Sequence, residues 1–154
     1  MRLSEHLKEE LVLHGLRASD RAQTLRKIAE FLEEKALVPS ATEVFRVLSA
    51  REESHTTALG DGVALPHAVL PELSERLFLV VSAAEPVPYG PGDEELVDIF
   101  FVLLSPPGRE GDHIKLLARI CRLARHPGFL TEMRGAAGQK ELYRTVVEED
   151  ARHV

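Results

Sequence analysis

Two apolar segments in the middle of the chain restrict the fold more than any other feature of the sequence. Residues 76–84 (RLFLVVSAA) are rich in Leu, Val and Phe, and residues 96–104 (LVDIFFVLL) are apolar at nearly every position. Successive side chains of a strand point to opposite faces, so a strand apolar throughout needs cover on both sides. The flanking sequence supplies that cover. Asp20 and Gln23 read as the caps of a helix with Leu25, Ile28, Ala29 and Leu32 at helical spacing, ending near Leu37. Pro39 and Ser40 open a second helix, with Ser40 and Glu43 in capping-box register and Ala41, Val44, Phe45 and Leu48 buried; it runs out near Arg51. Past Pro106, Pro107 and Gly108, Asp112 is placed to cap a helix over 113–126. A short helical piece to Arg134 and a last helix over 139–149 follow. The segment 11–16 is a brief apolar stretch, and EPVPYGPGDE reads as a turn-rich connection between the strands. The pattern is one α/β unit over residues 1–154, strands covered by helices.

The chain has 154 residues, 44% hydrophobic and 29% charged, enough for an ordinary core and far from a disordered or fibrous composition. No apolar run reaches the roughly 18 residues of a membrane span, and the acidic N-terminus MRLSEHLKEELVL does not read as a signal peptide. Cys121 stands alone, so no internal disulfide forms and a reducing, cytoplasmic setting is expected. The net charge of -6, with arginines interspersed among glutamates, disfavours nucleic acid. Asparagine is absent and Arg outnumbers Lys, as in heat-adapted proteins or GC-rich genomes.

The candidate chemistry lies in residues 51–71, read as a loop with two glycines and two prolines around SHTTALGDGVALPHAVLP. Of the seven histidines, no two are three or four apart, and there is no cysteine pair, so the spacing predicts no metal site; one assembled in space from two distant histidines and a carboxylate is set aside. A Walker A loop is absent, and Leu65 stands where a dinucleotide motif needs its third glycine.

His67 follows Pro66, which fixes its own φ and biases Leu65 to an extended conformation, so the imidazole is held by a stiff segment. The small or apolar Ala58, Leu59, Val63, Ala64, Leu65 and Ala68 suit a partner docking over the ring. The alternative is a loop histidine with no role. For His113, 100° per residue puts Lys115, Arg119, Arg122 and His126 on one side of the helix and Leu117, Ile120 and Ala124 on the other, with His113 facing inward. It is then either a satisfied core histidine or a group aimed from a helix N-terminus at an anion. Arg51 either offsets the dipole at a helix C-terminus or holds negative charge, and Thr56 and Thr57 either donate to that anion or shape a turn.

The stretch Arg51-Glu52 through Thr57, then LGDGVALPHA, resembles the phosphorylation-site signature of the fructose/mannitol-type (type-2) IIA components of the bacterial phosphoenolpyruvate:sugar phosphotransferase system, including their nitrogen-regulatory members. Arg51 precedes His67 at the family's interval, and His113 falls where a second histidine is expected. The resemblance continues through DEELVDIFFVLLSP and the helix GQKELYRTV, roughly residues 3–149. It implies a three-layer α/β/α sandwich around a mixed β-sheet. It further implies His67 as the acceptor of phosphate from the carrier protein HPr or its nitrogen-branch relative, through Nε2, with His113 stabilising the phosphate and Arg51 nearby in support; from the residues themselves, a hydrogen bond from Thr57 to the phosphate is a further expectation. No cofactor and no metal are implied, and His55 has no assigned role.

Three uses remain open: a sugar-uptake component passing phosphate to a IIB partner, a nitrogen-type regulator whose phosphorylation controls binding to target proteins, or a binding module that has lost turnover. The first is the main expectation, and the intact His67, His113 and Arg51 disfavour the last. No fused IIB or membrane domain is expected, so a phosphocysteine step would occur on another chain, and Cys121 is expected to be a packing residue.

Overall fold

The computed structural model describes residues 2–90 and 95–153. A mixed six-stranded sheet is built from β1 (Val12–Leu16), β2 (Ala58–Gly60), β3 (Val63–Ala64), β4 (His67–Val69), β5 (Leu77–Pro88) and β6 (Leu96–Ser105). Its order is β1-β5-β6-β3-β2, with β4 pairing β6 beyond β3. β5 and β6 run antiparallel, with Phe78 opposite Leu103 and Val80 opposite Phe101. β1 is parallel to β5, and β3 and β4 are parallel to β6.

The alternation along β5 and β6 divides the interior. Phe78, Val80, Ile99, Phe101 and Leu103 face one way, onto α3 (Glu110–Leu123), α4 (Pro127–Gly135) and α5 (Gln139–Arg152), through Leu116, Ile120, Phe129, Met133, Leu142 and Val146. Leu79, Val81, Phe100, Val102 and Leu104 face the other way, onto α1 (Arg21–Glu34) and α2 (Ala41–Ser54), through Leu25, Ile28, Leu32, Val44 and Leu48. Each large apolar side chain buried in this way is worth about 1.5–3 kcal/mol relative to exposure. The three-layer α/β/α sandwich and its mixed sheet are as expected.

Local boundaries differ for identifiable reasons. Asp20 caps α1 by accepting from the Gln23 amide at 2.8 Å, but the helix stops at Glu34, where Ala36 turns left-handed (φ 56°) and the Leu37 amide bonds back to the Leu32 carbonyl. Ser40 caps α2 through the Glu43 amide; Glu43 itself reaches Arg46, so half of the expected capping box forms, and α2 continues one turn past Arg51 to Ser54. β5 extends through Glu85-Pro86-Val87-Pro88, which the prolines had marked as connection. A register shift between Ser82 and Val87 accommodates them. The rest of that connection, residues 91–94, lies outside the described residues.

α3 begins at Glu110, earlier than the expected His113. Its N-cap is Arg109 with no side-chain cap, and Asp112 sits in the first turn, drawn toward Arg76 at 3.6 Å. Arg119 departs furthest from expectation. It lies on the buried face, 6% exposed, because it forms an ion pair with the wholly buried Asp150 of α5, with Nε and Nη2 at 3.0 and 2.7 Å from Oδ1. A charge satisfied inside outweighs helical-wheel arithmetic. α5 runs to Arg152, three residues beyond its expected end.

Candidate functional site

The segment 51–71 is not a loop throughout. It holds the short strands β2, β3 and β4 on the sheet's far side, two or three residues each, too brief for alternation to reveal. Gly60, Asp61 and Gly62 all have positive φ (93°, 56° and 80°), which folds β3 back on β2. The turn is clamped from α4. Arg134 holds the Asp98 carboxylate, with Nε 2.9 Å from Oδ2, and donates to the Asp61 carbonyl. A Cβ on Gly62 would come within 2.5 Å of Arg134 and 2.8 Å of Asp98, so only glycine fits the turn without displacement.

From this anchored turn, β3 and β4 lead along β6 and place His67 opposite Leu103. The Pro66 carbonyl accepts from the Leu103 amide at 3.0 Å, fixing the residue before the imidazole. His67 is half-buried, and its Nδ1 lies 2.7 Å from the Leu65 carbonyl. A carbonyl only accepts, so Nδ1 carries the proton and Nε2 keeps its lone pair. Burial lowers the His67 pKa against the opposing pull of the Leu65 hydrogen bond, and the Arg51 charge lowers it further. The ring is therefore neutral and nucleophilic near neutral pH.

The same register brings Ser105, at the end of β6, beside Val69 of β4. Its hydroxyl lies 2.7 Å from Nδ1 of His113, which α3 presents from its first turn. The two imidazoles meet with ring centroids 5.3 Å apart and planes inclined at 55°. Burial, then the neighbouring His67 and Arg76, depress the His113 pKa to about 4. His113 is thus a neutral group whose orientation is set by Ser105, half-buried at the edge of the core and directed at His67.

Arg51, in the last turn of α2, donates through Nη1 to the His55 carbonyl at 2.8 Å. It closes its helix, and its charge also reaches His67. Thr57 is committed elsewhere. Its amide donates to Glu52 at 2.9 Å and its hydroxyl donates to the same carboxylate, which also receives the Tyr89 hydroxyl at 2.8 Å. With its proton given to Glu52, the Thr57 hydroxyl has none to offer an anion. Its amide and hydroxyl instead tie the turn to α2. Thr56 accepts from the Ala58 amide at 3.2 Å, the turn-shaping alternative. Of the apolar residues expected to frame a docking face, Val63, Ala64 and Leu65 are buried in the core, Ala58 and Ala68 are partly buried and Leu59 is exposed; Val69 and Ile114, outside that set, are exposed as well. Cys121 packs partly buried against the core, and burial raises its thiol pKa, leaving a poor nucleophile.

Sequence reasoning missed Ser105, Glu52 and Arg76. Ser105 carried one weak signal, a polar residue closing an apolar strand. Glu52 stood within the recognised signature without a role of its own, and Arg76 was read only as the first residue of a strand.

The fold and the site together define a small α/β domain that presents one uncoordinated imidazole nitrogen beside a second, oriented imidazole, with an arginine charge nearby. The chain belongs to the family described as phosphoenolpyruvate-dependent sugar phosphotransferase system, EIIA 2, whose model matches residues 5–149. Among its relatives is a nitrogen regulatory protein of Bradyrhizobium diazoefficiens, 34% identical over 143 residues covering 93% of each protein. In fold it is similar to the nitrogen regulatory protein IIA-Ntr of Neisseria meningitidis (TM-score 0.84, 22% identity, 94% and 98% of the two chains). It is also similar in fold to IIAMTL of Escherichia coli, solved in complex with phosphorylated IIBMTL (TM-score 0.75, 16% identity, 92% and 97% of the two chains).

Proposed function

We propose that the protein is a phosphoryl carrier of the nitrogen-regulatory type, which takes phosphate onto Nε2 of His67 from a phosphohistidine carrier such as HPr or its nitrogen-branch relative. Its phosphorylation state would then control binding to target proteins. The observation that carries the chemistry is the 2.7 Å bond from His67 Nδ1 to the Leu65 carbonyl, which leaves Nε2 as the single basic nitrogen of the ring. In the transfer, the Nε2 lone pair forms the new P–N bond while the donor's P–N bond breaks and its electrons return to the donor imidazole. The proton stays on Nδ1, donated to the Leu65 carbonyl, so no general base is required.

His113 stabilises the phosphate from one side. When Ser105 donates to Nδ1, Nε2–H of His113 is the donor. Arg51 supplies charge from another, and Thr57 acts through the Glu52 cluster by positioning the turn. Val69 shares a strand face with His67, and Ile114 follows His113; both are exposed and offer apolar contact to the donor. No metal is needed, since positioning and preorganised donors do most of the work in phosphoryl transfer.

The regulatory branch is favoured by the 34% identity to a nitrogen regulatory protein along nearly the whole of both chains. The second reading, sugar uptake by transfer of the phosphate to a cysteine of a IIB protein, draws support from the likeness to IIAMTL in its complex with phosphorylated IIBMTL. The experiment that separates them starts from purified phosphorylated protein. Stable phosphate in the presence of IIB proteins from the source, together with a partner that binds one phosphorylation state over the other, supports regulation. Rapid, stoichiometric loss of phosphate to a IIB overturns it in favour of uptake.

A further inference from the structure

On the side of the sheet covered by α3, α4 and α5, a second group of ligating side chains converges that the His67 site does not use. His126 occupies the N-cap position of α4 without a side-chain cap, Glu149 lies in the last turns of α5, and His153 ends that helix. One donor atom from each residue lies within 4.8 Å of the other two. His153 Nε2 is 3.0 Å from Glu149 Oε2, and the rings of His126 and His153 stack with centroids 4.4 Å apart and planes only 16° from parallel. We propose that His126, Glu149 and His153 form a binding site for a divalent transition-metal ion of the zinc class.

Two neutral imidazoles and a carboxylate are the donor set such ions prefer, and three protein ligands leave a coordination position open. Zn–N distances of about 2.0–2.1 Å put tetrahedral ligands about 3.4 Å apart, so separations of up to 4.8 Å require a contraction of up to about 1.4 Å. Rotation of the two partly buried rings out of their near-parallel stack, so that one nitrogen of each turns toward Oε2 of Glu149, supplies it. The ion would displace the proton shared between His153 and Glu149, releasing it to solvent or moving it to the other ring nitrogen.

The surrounding charges permit this. Glu149 is 6% exposed, which fixes its carboxylate in place, and Arg152 pairs with Oε1 at 3.1 Å, leaving Oε2 toward the histidines. Arg119, which lines the adjoining cleft with Arg122 and Leu123, is neutralised by Asp150. Arg119 also donates to the His153 carbonyl, which holds the helix end against α3. The site joins the start of α4 to the end of α5, so an ion there would staple the C-terminal helix to the rest of the layer. The spacing of histidines concealed it, because His126 and His153 are distant in sequence and the helical i, i+4 partner of His153 is Glu149, a carboxylate.

The test is titration of the metal-free full chain with Co2+, read by its visible ligand-field absorption, and with Zn2+, read by calorimetry and thermal unfolding. The site predicts saturable binding of Co2+ with nitrogen ligation and a rise in melting temperature with Zn2+. Binding should weaken at least about 10-fold in His126→Asn and in His153→Asn, and be retained in the His67→Gln/His113→Gln double variant. His153 lies at the end of its helix, so its variant keeps the fold while removing a ligand. Absence of saturable binding, retention of full affinity in both His126→Asn and His153→Asn, or loss only in the His67→Gln/His113→Gln variant overturns the proposal.

Discussion

At the residue scale, the chemistry turns on which nitrogen of each histidine is free. His67 and His113 both have pKa values held below the ordinary histidine range, each chiefly by burial. The charged groups that bear on them are Arg51 and Glu52 for His67, and Arg76 and Glu110 for His113, together with the His67 ring itself. A depressed histidine pKa means that the unfolded chain binds the proton more readily. Its contribution to stability is therefore fully present above the unfolded value near 6.5 and is lost as the pH falls toward the folded value, about 4 for His113. For a half-exposed ring the effect, after solvent screening, is on the order of 1 kcal/mol. Urea unfolding of wild type and His113→Gln between pH 7 and pH 4 should show the variant losing less stability over that window. Ser105→Ala removes the partner that orients His113, and single-turnover phosphoryl transfer should slow by about 10-fold, the equivalent of one hydrogen bond, while the fold is retained. An unchanged rate would mean that His113 is held by packing alone.

At the element scale, the turn formed by Gly60, Asp61 and Gly62 aligns β3 and β4, and through them His67. Gly62→Ala has to keep a φ of 80° and displace Arg134 or Asp98. It should cost about 1–3 kcal/mol of stability, visible as a lowered melting temperature, and slow phosphorylation as well. This is also the scale at which the sequence is least legible. The two long apolar strands, the caps Asp20 and Ser40 and the helical spacing of α1 and α2 were readable, because period and capping act within a few residues. β2, β3 and β4 were not, since strands of two or three residues exist only by pairing with β6. Arg119 and Asp112 misled for a related reason: their partners, Asp150 in α5 and Arg76 just before β5, are distant in sequence. The site residues His67, His113 and Arg51 were legible as candidates; that Ser105 orients one of them and Glu52 receives Thr57 depends on contacts between elements.

At the scale of the whole molecule, the sandwich is closed by the C-terminal layer, where Arg119 joins α3 to α5. Burial by itself would raise the Asp150 pKa, but the Ser4 amide at 3.1 Å and the Arg119 guanidinium outweigh it and hold the carboxyl below its usual range. A depressed carboxylate stabilises the fold above its unfolded pKa and ceases to do so as the pH falls through the folded one. Asp150→Ala strands a buried guanidinium and should destabilise the protein by about 3–5 kcal/mol in denaturant titration. A loss below about 1 kcal/mol would show that the pair contributes little to closing the layer.

The proposed function rests on one imidazole, His67, carrying the phosphate. Its most direct measurement is incubation with phosphoenolpyruvate, enzyme I and the phosphocarrier protein, followed by phosphorus NMR of the product. The expected result is one acid-labile phosphate per chain, bound to Nε2 and absent from a folded His67→Gln variant. A wild type that takes up no phosphate, phosphate on Nδ1, or a His67→Gln protein that still labels would contradict it.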